Sequence, residues 1–344
     1  MSKIGLFADV HIHPYARFSS VTEDGLNTWV RRALDVLEQI YAECARRGIT
    51  RVYSLGDLFH TGPRLNTRTF NEVYRFFKSK AESFETTLIA GNHDQLTRYD
   101  MESALYSLQE VVSRVVEEPV KPFAEAGNGI LLLPYTEDYA TVRALLDKYS
   151  PRIVLGHLAV TGAVVGRHEY QPKEGISPDC LNPEILILLG HYHKRQVVAS
   201  NLRYIGSAMA IDFNDANEQK GFTILDTETL ETEFVPVGTT RFRILQQGGL
   251  VDSSYENDIV RVDHSGDVDE EATRATLLER GAAAVIFKRT VARQVEQRVT
   301  DPETDLVGCM KEYVSRNNTT GLSSERLVEL GQEIVREAKG DLVG

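Results

Sequence analysis

Short aliphatic runs alternate with longer amphipathic stretches along the first two thirds of the chain. The runs IGLFAD, ITRVYSLGD and TTLIAGNHD are rich in β-branched or aliphatic residues, end on polar clusters, and predict strands. Between the first two, apolar residues at Val30, Ala33, Leu34, Leu37, Ile40 and Tyr41 recur at the helical period, which predicts a helix between Asn27 and Arg47 with Gly48 as its stop. Further helices are expected over Phe70–Ser83, around Met101–Val112 and over Asp138–Lys148, with GILLLPY, RIVLGH and EILILLGH as additional strands. Strand–helix alternation of this kind predicts an α/β layered fold.

After Arg203 the pattern changes to short strands separated by turns, RYIGSAM, GFTILD and TEFVPV, read as a second sheet or a sheet edge. The first domain is expected to cover residues 1–238. Beyond it, RFRILQQ, NDIVRVDH and AAAVIFKRT with a helix over Glu270–Arg280 predict a small α/β cap, residues 239–300. Residues 301–344 carry two amphipathic helical patterns, one through Met310 and Tyr313, the other through Leu327, Leu330 and Ile334. No internal repeat or low-complexity tract interrupts the chain.

Composition narrows the function classes. The 344 residues carry 38 Lys+Arg against 50 Asp+Glu, a net charge of −12, which excludes a generally basic nucleic-acid coat. No segment approaches about 18 uninterrupted apolar residues and the start lacks a leader pattern, so a membrane partner and export are not expected. Cys44, Cys180 and Cys309 are odd in number and far apart, which argues against a disulfide framework or thiolate metal site and for a reducing cytoplasm.

Histidine is where the chemistry concentrates: seven of the nine lie in short clusters with Gly, Asp or Asn. Asp9-Val-His11, Gly56-Asp57-Leu-Phe-His60, Gly91-Asn92-His93-Asp94, Gly156-His157 and Gly190-His191-Tyr-His193 each follow the end of a hydrophobic strand. In open α/β sheets the carboxyl ends of strands converge on one crevice, so ligands distant in sequence meet there. Asp9, His11, Asp57, Asn92, His157, His191 and His193 make seven nitrogen or oxygen donors with no sulfur. A single octahedral ion takes at most six, and hydrolytic sites leave positions open, so two metals fit better than one.

These five motifs, in this order, resemble the calcineurin-like metallophosphoesterases. The Gly-Asp-Leu-Phe-His form at 56–60, with Tyr204-Ile-Gly-Ser207 and Glu218-Gln-Lys-Gly-Phe222, further resembles the SbcD-type DNA nuclease subunits of double-strand-break repair. The resemblance implies an α/β/β/α sandwich holding two divalent ions, Mn²⁺ first, although the donor set alone leaves Mg²⁺, Fe²⁺ and Zn²⁺ open. It implies that Asp9, His11, Asp57 and His193 hold one ion, that Asp57, Asn92, His157 and His191 hold the other, and that Asp57 bridges. His93 would assist the leaving oxygen with Asp94 orienting it, and His60 would help place the phosphate. It also implies DNA as substrate, an SMC-like ATPase partner gripped by the C-terminal helices, a homodimer, and the cytoplasm of a prokaryote or a phage-infected host.

Rival readings use fewer of these residues. His11-Ile-His13 also opens amidohydrolase barrels, but that class has no use for Gly-Asn-His-Asp or Gly-His-x-His, and His13 is read as a neighbour without a ligand role. A small-molecule or cyclic-nucleotide phosphodiesterase shares every ligand and is disfavoured by the extra residues after 240; a non-enzymatic scaffold would not need the ligands. Asp212, Asp215 and Glu218 read as a solvated acidic loop, and His168 and His264 as residues without chemistry. Arg17, Arg64, Arg68, Arg98, Lys194 and Arg195 flank the motifs and are candidates for phosphate contact.

Overall fold

The computed structural model describes residues 2–97, 102–118, 129–167, 169–246, 249, 254–266, 268–289, 306–318 and 321–340; Arg98, Met101 and His168 lie outside the described residues. The elements in order are β1 (Lys3–Phe7), α1 (Thr28–Arg46), β2 (Arg51–Leu55), α2 (Thr67–Lys80), β3 (Glu85–Ile89), β4 (Arg114–Val116), β5 (Ile130–Leu133), α3 (Tyr139–Tyr149), β6 (Ile153–His157), β7 (Leu186–Gly190), β8 (Gln196–Ala199), β9 (Leu202–Tyr204), β10 (Gly221–Asp226), β11 (Thr232–Pro236), β12 (Phe242–Gln246), β13 (Ile259–His264), α4 (Glu270–Glu279), β14 (Ala284–Arg289), α5 (Leu306–Asn317) and α6 (Ser324–Gly340). The two long N-terminal helices begin where side chains cap them: Asn27 accepts from the Trp29 N–H at 2.8 Å and Asn66 from the Thr69 N–H at 3.0 Å.

Two sheets stack face to face. One has the order β11-β10-β1-β2-β3-β4, parallel from β1 to β4; the other has the order β5-β6-β7-β9-β8, parallel from β5 to β9. The period of two along each strand explains the layers. Ile4, Leu6, Tyr53, Leu55 and Ile89 meet Ile130, Leu132, Ile153, Leu155 and Leu188 between the sheets. The alternate residues Phe7, Val52 and Leu88 face outward onto Trp29, Val30, Leu37 and Tyr41 of α1 and Val73 and Phe77 of α2. On the far side Leu131, Leu133, Val154 and Leu189 face Val142, Leu145 and Leu146 of α3. The result is the α/β/β/α sandwich, and burial on both faces is why these strands read as continuous apolar runs.

The expected helix around Met101–Val112 is not formed over its described part. Leu105, Leu108 and Val111 are buried at a spacing of three, which suits a 3₁₀ turn over Tyr106–Glu110 better than an α-helix, and β4 follows directly. The cap is a parallel sheet β12-β13-β14 with α4 crossing from β13 to β14. It shares a core with the sandwich: the Phe242 ring lies 6.0 Å from Trp29 and 4.9 Å from Phe213, and Ile259 is buried in the same cluster. Residues 1–289 accordingly form one compact unit and 290–344 a second; residues 290–305, which include the boundary expected at 300, lie outside the described residues. Within the second unit α5 packs on α6, with Met310 filling the space beside Gly331. Among the described residues no helix is long and apolar enough to cross a membrane.

Candidate metal centre

Five strand ends deliver the polar clusters to one place. Asp9 and His11 follow β1, Asp57 and His60 follow β2, Asn92, His93 and Asp94 follow β3, His157 ends β6, and His191 and His193 follow β7. Past the strands the chain keeps parallel pairing: the N–H groups of Asp9, His11 and Ile12 donate to the carbonyls of Gly56, Asp57 and Leu58 at 3.0, 3.0 and 2.8 Å. Asp9, His11, Asp57 and His191 all have positive φ (53°, 48°, 54° and 100°), a backbone region that is sparsely populated outside glycine and is characteristic of functional sites.

The glycines make the room. At Gly56, with φ of +96°, a Cβ would collide with the His157 ring, and at Gly91 it would collide with the Asp57 carboxylate. Gly56→Ala is therefore expected to cost about 1–2 kcal/mol for the left-handed backbone and about 1–3 kcal/mol for overpacking. Urea denaturation of the variant checks this, and a loss below about 1 kcal/mol would contradict it.

The structure brings together all seven residues expected as metal ligands. Ligand atoms of Asp9, His11 and His193 lie within 4.8 Å of one another, as do those of Asp57, His157 and His191. His11 Nε2 is 3.1 Å from His193 Nε2, while Asn92 Oδ1 lies 3.2 Å from His157 Nε2 and 3.0 Å from His191 Nδ1. Asp57 stands between the groups, its Oδ2 3.5 Å from His11 Nε2 and 3.3 Å from His157 Nε2. His157 donates from Nδ1 to the Leu55 carbonyl at 2.7 Å, which leaves Nε2 for the centre.

Charge at this cluster fits divalent cations. Asp9 and Asp57 are buried, and among the described residues neither pairs with a lysine or arginine. Burial pushes the Asp9 carboxyl up to about 6, against the pull of His157 and His193. For Asp57 burial acts in the same direction, but the imidazoles of His157, His11 and His93 outweigh it and hold the carboxyl well below its ordinary range. His157 is pushed up to about 9: burial opposes the shift, and Asp57 and Asp9 outweigh burial. His11 and His191 are pushed down chiefly by burial, His191 to about 3. The buried carboxylates that raise His157 would equally draw a dication, whose binding displaces the proton from that imidazole.

His93 and His60 form the next group. Their rings stack at 5.1 Å, and His93 Nδ1 donates to the His60 carbonyl at 2.8 Å, which leaves His93 Nε2 unengaged by that bond. Burial, then the charges of His93 and His13, push His60 down to about 4. Two clefts open from this spot: one of about 570 Å³ lined by His60, Arg64, His93 and Tyr135, the other of about 430 Å³ lined by His11, His93, Tyr170, His193 and Lys194.

Asp94 does not take the role expected of it. Its carboxylate accepts from the backbone N–H groups of Phe59 (2.8 Å), Gly91 (2.9 Å) and Leu58 (3.3 Å), and the His93 ring is oriented by the His60 carbonyl instead. Asp94 thus ties the β2 loop to the β3 loop, and burial, followed by the charge of Asp57, pushes its carboxyl up to about 7. The acidic run also departs from expectation: Asp212 is exposed, but Asp215 is buried, 3.4 Å from His193 Nδ1 and 3.0 Å from Lys220 Nζ. Tyr135, its ring 5.5 Å from that of His191, is a further residue at the site; it ends GILLLPY just as the candidate ligands follow their strands. His13 lies beside His60 at 5.4 Å, outside the seven-donor cluster. Of the flanking cations Arg64 and Lys194 line the clefts, whereas Arg68 bonds the Asp24 carbonyl and Arg195 covers Phe234.

Imidazoles and carboxylates gathered at the carboxyl ends of parallel strands, with open clefts beside them, define a metallohydrolase site. The calcineurin-like phosphoesterase family model matches residues 2–195, more than half of the chain, and the chain belongs to that family as a metal-dependent phosphoesterase. Exonuclease subunit 1 of Enterobacteria phage T4 is 25% identical over 329 residues, covering 90% of this chain and 94% of the relative. The SbcD nuclease subunit of Staphylococcus epidermidis is 22% identical over 201 residues, 49% of this chain and 52% of the relative. A dimetal phosphatase from Danio rerio aligns with a TM-score of 0.41 at 13% identity, over 64% of this chain and 91% of that one.

Proposed function

We propose that the chain is a two-metal DNA nuclease and serves as the nuclease subunit of an SbcCD-type repair and recombination complex. The observation that carries this reading is the reach of the likeness to the phage exonuclease subunit. It covers 90% of the chain and so takes in most of the sequence beyond residue 195, where the family match ends. A phosphatase of small esters has no need of that region.

In this reading Asp9, His11, Asp57 and His193 hold one divalent ion and Asp57, Asn92, His157 and His191 the other. Bound there, the pair supplies an activated water and neutralises charge on the phosphoryl oxygens. The remaining work falls to side chains of the protein. His93 is fixed through Nδ1 by the His60 carbonyl, so Nε2 is the atom that hands a proton to the departing oxygen. His60, stacked on it, offers its ring to a non-bridging phosphate oxygen. Arg64 and Lys194 stand in the two clefts, where flanking backbone phosphates would run.

We propose Mn²⁺ as the working metal, residues 1–238 as the nuclease domain, 239–300 as its cap, a homodimer, and a cytoplasmic setting. The C-terminal segment from 301 is assigned to an SMC-like ATPase partner, a reading supported by the exposure of Tyr313, Leu322 and Ile334 on the helical unit. The test is to incubate the purified protein and Mn²⁺ with end-labelled duplex DNA and, separately, with bis-p-nitrophenyl phosphate, with and without the ATPase. Cleavage of the DNA, increased by the ATPase, is expected. Hydrolysis of the small ester with no DNA cleavage under any condition would overturn the nuclease reading.

A further inference from the structure

The two halves of the centre are built differently around their histidines. At His193 the protein has assembled a buried buttress: Nδ1 lies 3.4 Å from the Asp215 carboxylate, which also accepts from Lys220 Nζ at 3.0 Å and from the Ile211 N–H at 2.9 Å. Lys220 Nζ in turn donates to the His193 carbonyl at 3.1 Å and to Glu218 at 2.8 Å. Lys220 therefore grips His193 twice, directly at its backbone and through Asp215 at its ring. Both side chains are almost completely enclosed, Lys220 at 2% and Asp215 at 4% exposure. At His157 the corresponding Nδ1 partner is a neutral backbone carbonyl, that of Leu55. His191 turns its Nδ1 to Asn92 Oδ1.

A carboxylate behind a ligating imidazole fixes the tautomer with Nε2 free and raises the ligand's basicity, and loss of such a partner costs about 10–100-fold in metal affinity. The donor sets differ in the same sense. Asp9 and Asp57 give the His193 side two carboxylates, whereas the His157 side has only Asp57 and the neutral Asn92. Ligand charge is a principal determinant of affinity for a dication.

We propose that Asp215 and Lys220 are positioning residues that lock the His193 ring for metal and make the Asp9–His11–His193 position the tighter of the two, filled first. The proposal rests on the two-metal assignment above and not on the substrate being DNA. The segment that carries it, residues 212–220, joins the sandwich to the cap: the Asn217 N–H donates to the Phe242 carbonyl at 3.0 Å, and Phe213 packs on the Phe242 ring.

The test is titration of the full-length, metal-stripped protein with Mn²⁺, reading free Mn²⁺ by electron paramagnetic resonance, with circular dichroism of each variant as the check on folding. The wild type is expected to bind one equivalent at least about tenfold more tightly than the second. Asp215→Asn is expected to weaken the first equivalent about 10–100-fold and leave the second nearly unchanged. Lys220→Gln should act in the same direction, and Asn92→Ala should abolish the second equivalent while sparing the first. Two equivalents of equal affinity in the wild type would overturn the proposal. So would loss of the tight equivalent in Asn92→Ala, or unaltered tight binding in a folded Asp215→Asn or Lys220→Gln. Because no step involves DNA or turnover, a chain inactive on DNA that still shows ordered binding would refute the nuclease reading and uphold this one.

Discussion

Asp57→Ala is expected to abolish binding at both metal positions and to lower phosphodiester hydrolysis by at least about three orders of magnitude. Asp57 reaches both histidine groups with a single oxygen: Oδ2 lies 3.5 Å from His11 Nε2 and 3.3 Å from His157 Nε2, and Oδ1 accepts the His93 N–H at 2.9 Å. A metal's stabilisation of transition-state charge is worth several kcal/mol, and each factor of ten in rate is about 1.4 kcal/mol, so losing both ions removes three or more decades. Metal content by elemental analysis, read beside Mn²⁺-dependent hydrolysis, checks both halves. A variant that retains two ions, or that keeps a tenth of wild-type activity, would contradict the bridging assignment.

His93→Gln separates chemistry from metal binding. His93 is not among the seven proposed ligands, and its ring is held by the His60 carbonyl and stacked on His60. Both ions should therefore remain, while DNA cleavage falls about 10²–10⁴-fold, the usual worth of a positioned general acid. The loss should appear in kcat with KM little changed, because an interaction made only in the transition state is being removed. Bis-p-nitrophenyl phosphate sharpens the test. Nitrophenolate departs without a proton, so the variant should lose far less on this ester than on DNA. Equal losses on the two substrates would contradict a proton-donating role.

The convergence of the seven candidate donors was legible because each is placed by something local: a strand that must end, a glycine that lets the backbone through, and a donor set at once in the crevice. Asp57 and His157 could be read this way because Gly56 and Gly91 are forced by the close approach of the very side chains they accommodate. The α/β alternation was legible for a similar reason, since ILLL at Ile130–Leu133 is buried on both faces and shows it in composition, whereas the four-layer order was implied only by the family resemblance. Asp215 was not legible. Asp212, Asn214 and Asp215 look alike in a polar run, and only contact with Lys220 and with His193, 22 positions away, buries one of them. The orienting role that the resemblance implies for Asp94 does not match its contacts: it follows His93 in sequence, but its carboxylate turns back to the N–H groups of Leu58, Phe59 and Gly91. The segment around Leu105, Leu108 and Val111 shows the limit of periodicity, where a spacing of three suits a 3₁₀ turn as well as a helix face.

The central claim is that these seven side chains build a two-ion centre, and anomalous diffraction from Mn²⁺-soaked crystals tests it most directly. Two peaks roughly 3.5–4 Å apart are expected, one beside Asp9, His11 and His193 and the other beside Asn92, His157 and His191, with the Asp57 carboxylate between them. A single peak at saturating Mn²⁺, or a pair flanked by other side chains, would contradict the account.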